Sequence, residues 1–445
     1  MTEPNQPAPT AEAPVPVRLY LHVVLVALLG AASVLAWLAV YTVVNRFLWE
    51  SQLLVTSPWL APLIVMPFSL LVGLLVKYRR APTSRDESLL TALAGDPGAI
   101  NWRELPVNVL QAWASLWSGA VLGPEGGIGG IASKVAAFYA ERMRVPAEMR
   151  SRLVFATLAS AYNGLVASPL FTGVLGTELV PDSATRTRTL PANLLGGALG
   201  FLVFELAGST GLQDYLQIVS DRPLTPPDVV LAVVFGLVGM VLAILLGLLL
   251  RLAEAIFGRF GGRVVERTLA AGVVFSIVGM AAPILLFSGE TQAVTVVANP
   301  AQFGAVALIG MALAKLALLA LALRSGFLGG PTFPAIFAAI CVAQAIALLA
   351  PGVPLEVAIG GVMSGLLVVL FRAPFMVILL GIVMLGAGPN LAALIVFSTT
   401  TVLIVMPGVR AAMDRRRSPG TGAAGGDDAG ADAASGAATT QSRGV

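Results

Sequence analysis

Two short segments put glycine and proline where a helix would have to begin in the middle of apolar surroundings. They are Leu122-Gly123-Pro124-Glu125-Gly126-Gly127 and Leu328-Gly329-Gly330-Pro331-Thr332-Phe333-Pro334. The chemistry that such breaks permit is anion binding. A helix beginning inside a membrane presents unpaired backbone N–H groups and the positive end of its dipole. A small anion can be held there without a fixed positive side chain. Two converging starts would hold the anion and still release it, since a site that binds too tightly does not conduct. The amides of Gly126, Gly127, Thr332 and Phe333 are the candidate donors, while Pro331 has no N–H to offer. The first break also carries Glu125, and a carboxylate at membrane depth is a functional candidate by default.

The elements that position these residues must lie in lipid. Of 445 residues, 57% are hydrophobic and 11% charged, and the mean hydropathy is +0.87. A soluble surface needs roughly 25% charged residues, so this is a polytopic all-α membrane protein. A net charge of +3 shows no broad basic face for nucleic acid. One cysteine, Cys341, excludes a disulfide framework and a multi-cysteine metal site; one histidine, His22, excludes most histidine-based chemistry. Neither metal nor cofactor is expected. The run Gly126-Gly127-Ile128-Gly129-Gly130 with Lys134 lacks the Gly-Lys-Ser/Thr ending of a phosphate loop and a preceding strand, so no nucleotide is expected.

Apolar runs cover about 19–44, 59–76, 105–122, 190–206, 228–252, 268–288, 303–322, 332–350, 355–371, 374–386 and 391–406. About 20 residues are needed to cross the hydrocarbon core, and several runs are shorter or interrupted. Tilted, broken and re-entrant helices follow, tolerated only where protein shields them or a wet cavity adjoins. Residues 1–17 read as a disordered lead, 18–413 as the transmembrane domain, and 414–445 as a disordered low-complexity tail. Basic clusters at Lys77–Arg85, Arg142–Arg152 and Arg415–Arg417 put both termini in the cytoplasm by the positive-inside rule.

The domain is expected to be two related halves, about 18–208 and 226–413. Ala167–Gly176 resembles Arg372–Gly381 at an offset of 205, and about 43–44 residues upstream of each proline lies one of the two breaks. Interrupted segments at matching positions of two halves are the best sequence pointer to a transport site.

These residues resemble the CLC family of chloride channels and chloride/proton antiporters over roughly residues 20–406. Gly123-Pro124-Glu125-Gly126 is similar to the family's Gly-Arg/Lys-Glu-Gly-Pro segment. Ser325-Gly326 with Gly329–Pro334 is similar to its Gly-x-Phe-x-Pro helix start. Ala167-Ser168-Pro169-Leu170 followed by Glu178 resembles its Asn-Ala-Pro-Leu…Glu segment, and Lys315 and Glu290 fall where the pattern accommodates them. The resemblance implies a CLC-like fold of two inverted repeats, a homodimer in the cell membrane, and one chloride or small-anion pathway per subunit. It also implies a glutamate, here Glu125, that plugs the pathway and swings away on protonation. A carboxylate beside helix N-termini can fill an anion site intramolecularly, which makes protons a possible second partner.

Departures from the family pattern are equally specific. The first anion-binding loop falls on Pro82-Thr83-Ser84-Arg85-Asp86, without the family's glycines, so the hydroxyls of Thr83 and Ser84 become the candidates. No tyrosine follows Tyr215, so the ion-coordinating tyrosine of the family's last helix is absent and a more open inner vestibule is expected. Leu179 stands where exchangers typically carry their internal proton acceptor. Glu178 is either a stand-in on the proton path or a structural residue pairing with a backbone donor. Passive conduction is therefore put ahead of chloride/proton antiport, with transport of another solute third. An intramembrane enzyme is set aside, since the apolar runs hold no second histidine and no aspartate pair.

Overall fold

A computed structural model describes residues 17–51, 54, 56–84, 100–178, 183–208 and 223–417. The polar N-terminal lead, Arg85 and Asp86, Leu179 and the tail beyond Arg417 lie outside the described residues. The chain divides into two units, Met1–Leu403 and Ile404–Val445. The first holds everything that concerns the site; the described part of the second is the end of the last helix.

Among the described residues the chain is helical, interrupted by one antiparallel bridge between Gly123 and Gly330. The first half runs α1 (Val17–Trp49), α2 (Ala61–Arg79), α3 (Leu105–Trp117), α4 (Glu125–Arg142), α5 (Ala147–Ala161), α6 (Pro169–Glu178) and α7 (Ser183–Leu206). The second runs α8 (Pro226–Gly258), α9 (Val264–Ala281), α10 (Glu290–Ala298), α11 (Ala305–Ser325), α12 (Thr332–Leu349), α13 (Leu355–Phe371), α14 (Pro374–Leu385) and α15 (Pro389–Arg417). In lipid every backbone polar group needs an internal partner, and helices supply one. Among the described residues eight helices, α1, α2, α7, α8, α9, α11, α12 and α15, are long and apolar enough to cross a membrane.

α4, which opens at the first break, is among the helices that hydropathy passes over. α4 begins Glu-Gly-Gly-Ile-Gly-Gly, and nearly all of its side chains are buried in protein. A helix wrapped by other helices needs no lipid-facing apolar residues. Other apolar runs outlast their helices: the run to 122 leaves the helical path at Trp117, and the run to 288 leaves it at Ala281.

Small residues let the helices of each half approach closely. A Cβ added to Gly30 of α1 would fall on the Thr157 side chain of α5. In the second half a Cβ on Gly239 of α8 would fall on the Val362 carbonyl of α13, and one on Gly365 of α13 on the Gly236 carbonyl of α8. The repeat-related segments begin helices at Pro169 and Pro374, where proline's fixed φ suits a first turn. Arg372 ends α13 in the left-handed region at φ 56, so the chain can turn at once into α14.

Candidate functional site at the paired helix breaks

Beyond α3 the chain stays unwound from Gly119 to Pro124. α11 ends at Gly326, whose φ of 115 glycine adopts without a Cβ clash, and the chain stays unwound to Pro331. Gly123 and Gly330 then exchange N–H···O=C hydrogen bonds of 2.8 and 2.9 Å. Each is followed by a proline, and a helix opens on the next residue, Glu125 in α4 and Thr332 in α12. The two breaks are thus tied to each other by their own backbones, and both helix N-termini are fixed at one place.

Neighbouring side chains hold the second break in shape. Ser115 Oγ accepts the Leu328 N–H at 2.9 Å, and Gln111 Nε2 donates to the Gly326 carbonyl at 3.3 Å. Ser84 Oγ accepts the Gly329 N–H at 2.9 Å and lies 2.8 and 2.9 Å from the carbonyls of Phe327 and Gly329. A hydroxyl has one hydrogen to give, so Ser84 serves the backbone of the break.

Glu125 is buried, with 6% of its surface exposed. Its side chain turns back from α4 so that Oε1 accepts the N–H of Thr332, the first residue of α12, at 3.1 Å. The carboxylate occupies the N-terminus of the opposite half's helix. Oε2 is buried without a hydrogen-bond partner. A buried charge is costly unless paired and hydrogen-bonded, so Glu125 is only half satisfied where it lies. The first turn of α12 is short of donors because Pro331 and Pro334 have no N–H, leaving the amides of Thr332 and Phe333.

A cavity of about 220 Å³ opens on this point, lined by Ser84, Glu125, Gly126, Thr332 and Phe333 among others. At about 30 Å³ per water it has room for a small anion with part of its hydration shell. Of the expected anion-site residues, Thr83 is buried but outside this lining, and Gly127 faces away. A Cβ on Gly127 would lie 2.9 Å from Ala112 and from the Trp37 ring. The glycine there permits helix packing.

Glu178 ends α6 and reaches across the repeat. Its Oε1 accepts the Phe375 N–H at 3.0 Å and its Oε2 the Met376 N–H at 2.7 Å. It caps the first turn of α14, the helix related to its own by the repeat. Both of its carboxylate oxygens are thus engaged by backbone N–H groups. Lys315 is fully buried and donates to the carbonyls of Leu285 and Leu286 at 3.1 and 2.9 Å, with Phe337 beneath its Nζ at 4.7 Å. It braces the loop before α10, at whose head Glu290 lies, and neither residue lines the cavity.

Two polar residues of the cavity lining carry no signal in the sequence. Tyr162, in a short turn after α5, lines the cavity and donates its hydroxyl to the Glu125 carbonyl at 2.8 Å. A tyrosine is therefore present at the cavity, contributed by the first half rather than by the last helix. Arg324, in the last turn of α11, is the other. Each is near a break in space or sequence, but a lone Tyr or Arg in a helical stretch carries no periodic signal that marks it.

The sequence profile described as "Voltage gated chloride channel" matches residues 68–405. The chain belongs to that family. No curated protein sequence matches it. Among solved structures it is similar to a slow cyanobacterial Cl⁻/H⁺ antiporter, with a TM-score of 0.75 and 19% identity over 91% of this chain and 99% of that one. It is similar to a CLC-type fluoride/proton antiporter (TM-score 0.70, 21% identity, 87% and 95% covered). It is also similar to a eukaryotic CLC transporter (TM-score 0.66, 15% identity, 88% and 72% covered). The fold is the expected one: an all-α polytopic CLC fold of two inverted halves with broken helices. Members of the CLC family are membrane transport proteins, not enzymes, and anion transport is the activity that membership assigns.

Proposed function

We propose that this CLC family member moves small inorganic anions, chloride first, through the cavity at the paired breaks, with Glu125 as its gate. The observation that carries the reading is the Glu125 carboxylate lying on the Thr332 amide with its second oxygen unpartnered. In that position it blocks the helix N-termini that would receive the ion. Protonation removes the charge that holds it there, and an arriving anion competes for the same amide. Gly126, Thr332 and Phe333 contribute backbone donors to the passing ion, with Ser84 at the wall. The working form is a homodimer in the cell membrane with both termini cytoplasmic.

Passive conduction is supported by Glu178, whose two oxygens are both engaged by backbone N–H groups, and by Leu179 beside it. Proton exchange is the second reading, favoured by the similarity to structures described as Cl⁻/H⁺ and fluoride/proton antiporters. The test is the purified protein in sealed vesicles, with chloride, fluoride and nitrate gradients imposed in turn and internal pH followed. Anion efflux that quickens on acidification supports the gate. Uphill proton movement in fixed ratio to the anion establishes exchange, and its absence establishes conduction. No flux of any of the three anions overturns the reading.

A further inference from the structure

Among the described residues, the lining of the cavity that contains Glu125 includes one cation, Arg324, together with the apolar Leu250, Leu323, Leu370 and Phe371. A basic residue in the last turn of a helix is ordinarily accounted for by the helix dipole, and Arg324 occupies that position in α11. Its surroundings ask for more. Its Nε lies 3.6 Å from Glu254 Oε2 of α8, beyond hydrogen-bond length. That Nε is buried and has no hydrogen-bond partner. The side chain as a whole is 31% exposed, so an ion entering the cavity can reach it. A guanidinium carries five donors in a planar fork and stays charged. Here Nε faces the Glu254 carboxylate at a distance too long for a hydrogen bond and has no other acceptor within reach.

We infer that Arg324 is a second anion-binding group of the pathway, at the α8–α11 wall of the cavity, and that Glu254 competes with the anion for it. This rests on the anion-transport reading and adds to it a fixed full charge where the paired helix starts offer only partial ones. The helix N-termini grip the ion and let it go; Arg324 raises its concentration beside them, as a charge in a low-dielectric cleft does. The fork geometry also discriminates. It meets two oxygens of a planar oxoanion such as nitrate, whereas a spherical halide engages it as a point charge.

An anion-binding Arg324 and a plain Arg324–Glu254 ion pair respond differently to substitution. If Arg324 and Glu254 merely held α11 to α8, removing either charge would act in the same direction. If Arg324 binds the anion, the two removals act in opposite directions. Full-length wild type, Arg324→Gln, Arg324→Lys and Glu254→Gln are purified and checked for a monodisperse elution profile. Each is titrated calorimetrically with sodium chloride and sodium nitrate, and each is assayed for flux against anion concentration in vesicles. Arg324→Gln is expected to raise the dissociation constant and half-saturating concentration about tenfold, the lower end of what a focused charge achieves. Glu254→Gln is expected to lower both. Arg324→Lys should hold chloride near the wild-type value and lose the preference for nitrate. Shifts of the same sign in Arg324→Gln and Glu254→Gln, or unchanged titrations in Arg324→Gln, overturn the inference. Wild type that carries no anion overturns the transport reading instead, and the titrations still decide Arg324.

Discussion

Glu178 is where the structural and the proton-path readings of one residue make opposite demands. In the structure it accepts the N–H groups of Phe375 and Met376 at 3.0 and 2.7 Å. A hydrogen bond to a charged acceptor contributes about 1.5–3 kcal/mol, and a carboxylate at a helix N-terminus adds about 0.3–1 kcal/mol. The site is partly exposed, so the lower figures apply. Glu178→Ala should therefore cost about 3 kcal/mol, and Glu178→Gln, which keeps one acceptor oxygen, about half of that. For a large domain the loss corresponds to roughly 2 °C per kcal/mol. The expected falls in Tm are then about 6 °C and about 3 °C, read by thermal denaturation in detergent. Met376 both donates to Glu178 and lines the cavity, so loosening the start of α14 also disturbs the cavity wall. Glu178→Ala should accordingly slow anion flux, while Glu178→Gln should leave the flux and its pH dependence near wild type. A Glu178→Gln protein as stable as wild type but stripped of coupled proton movement would refute the capping argument and make Glu178 the proton acceptor.

Two further substitutions probe the site and its frame. A Cβ on Gly330 would lie 2.5 Å from Glu125 Cδ, so Gly330→Ala should push the flexible carboxylate off the Thr332 amide. Flux measured at neutral pH should rise and its response to acid should flatten; a protein with wild-type pH response would contradict that placement of the carboxylate. Gly365→Ala puts a methyl group on the Gly236 backbone between α13 and α8. Overpacking of that kind costs about 1–3 kcal/mol, and it should appear as a lower Tm with the pH response of any remaining flux intact.

What was legible in the sequence follows from how each signal is generated. Long lipid-facing helices need apolar residues along their length, so composition gave away α1, α2, α8 and α11 directly. The breaks were legible because glycine and proline are the residues that leave a helix, and Glu125 because a carboxylate is conspicuous in apolar surroundings. α4 left no apolar run, since it is sheltered by protein and satisfies its surroundings with glycine and alanine. The reach of Glu178 to α14 joins residues 197 and 198 positions apart, which no local pattern encodes. Gly126 and Gly127 look equivalent in sequence, yet a helix turns about 100° between neighbours, and only the first lines the cavity. Tyr162 is illegible for a related reason: it stands alone in sequence, and only the fold brings it from the first half to the cavity.

The central claim is that the Glu125 carboxylate holds the anion site closed until it is protonated or displaced. Its most direct test is chloride efflux from vesicles containing wild type or Glu125→Gln, measured from alkaline to acid pH. Glutamine has nearly the same shape and no charge to lose. Wild-type efflux is expected to rise as pH falls, and Glu125→Gln efflux to be high at every pH with no acid stimulation. Efflux in Glu125→Gln that still rises with acid as steeply as in wild type would contradict the account.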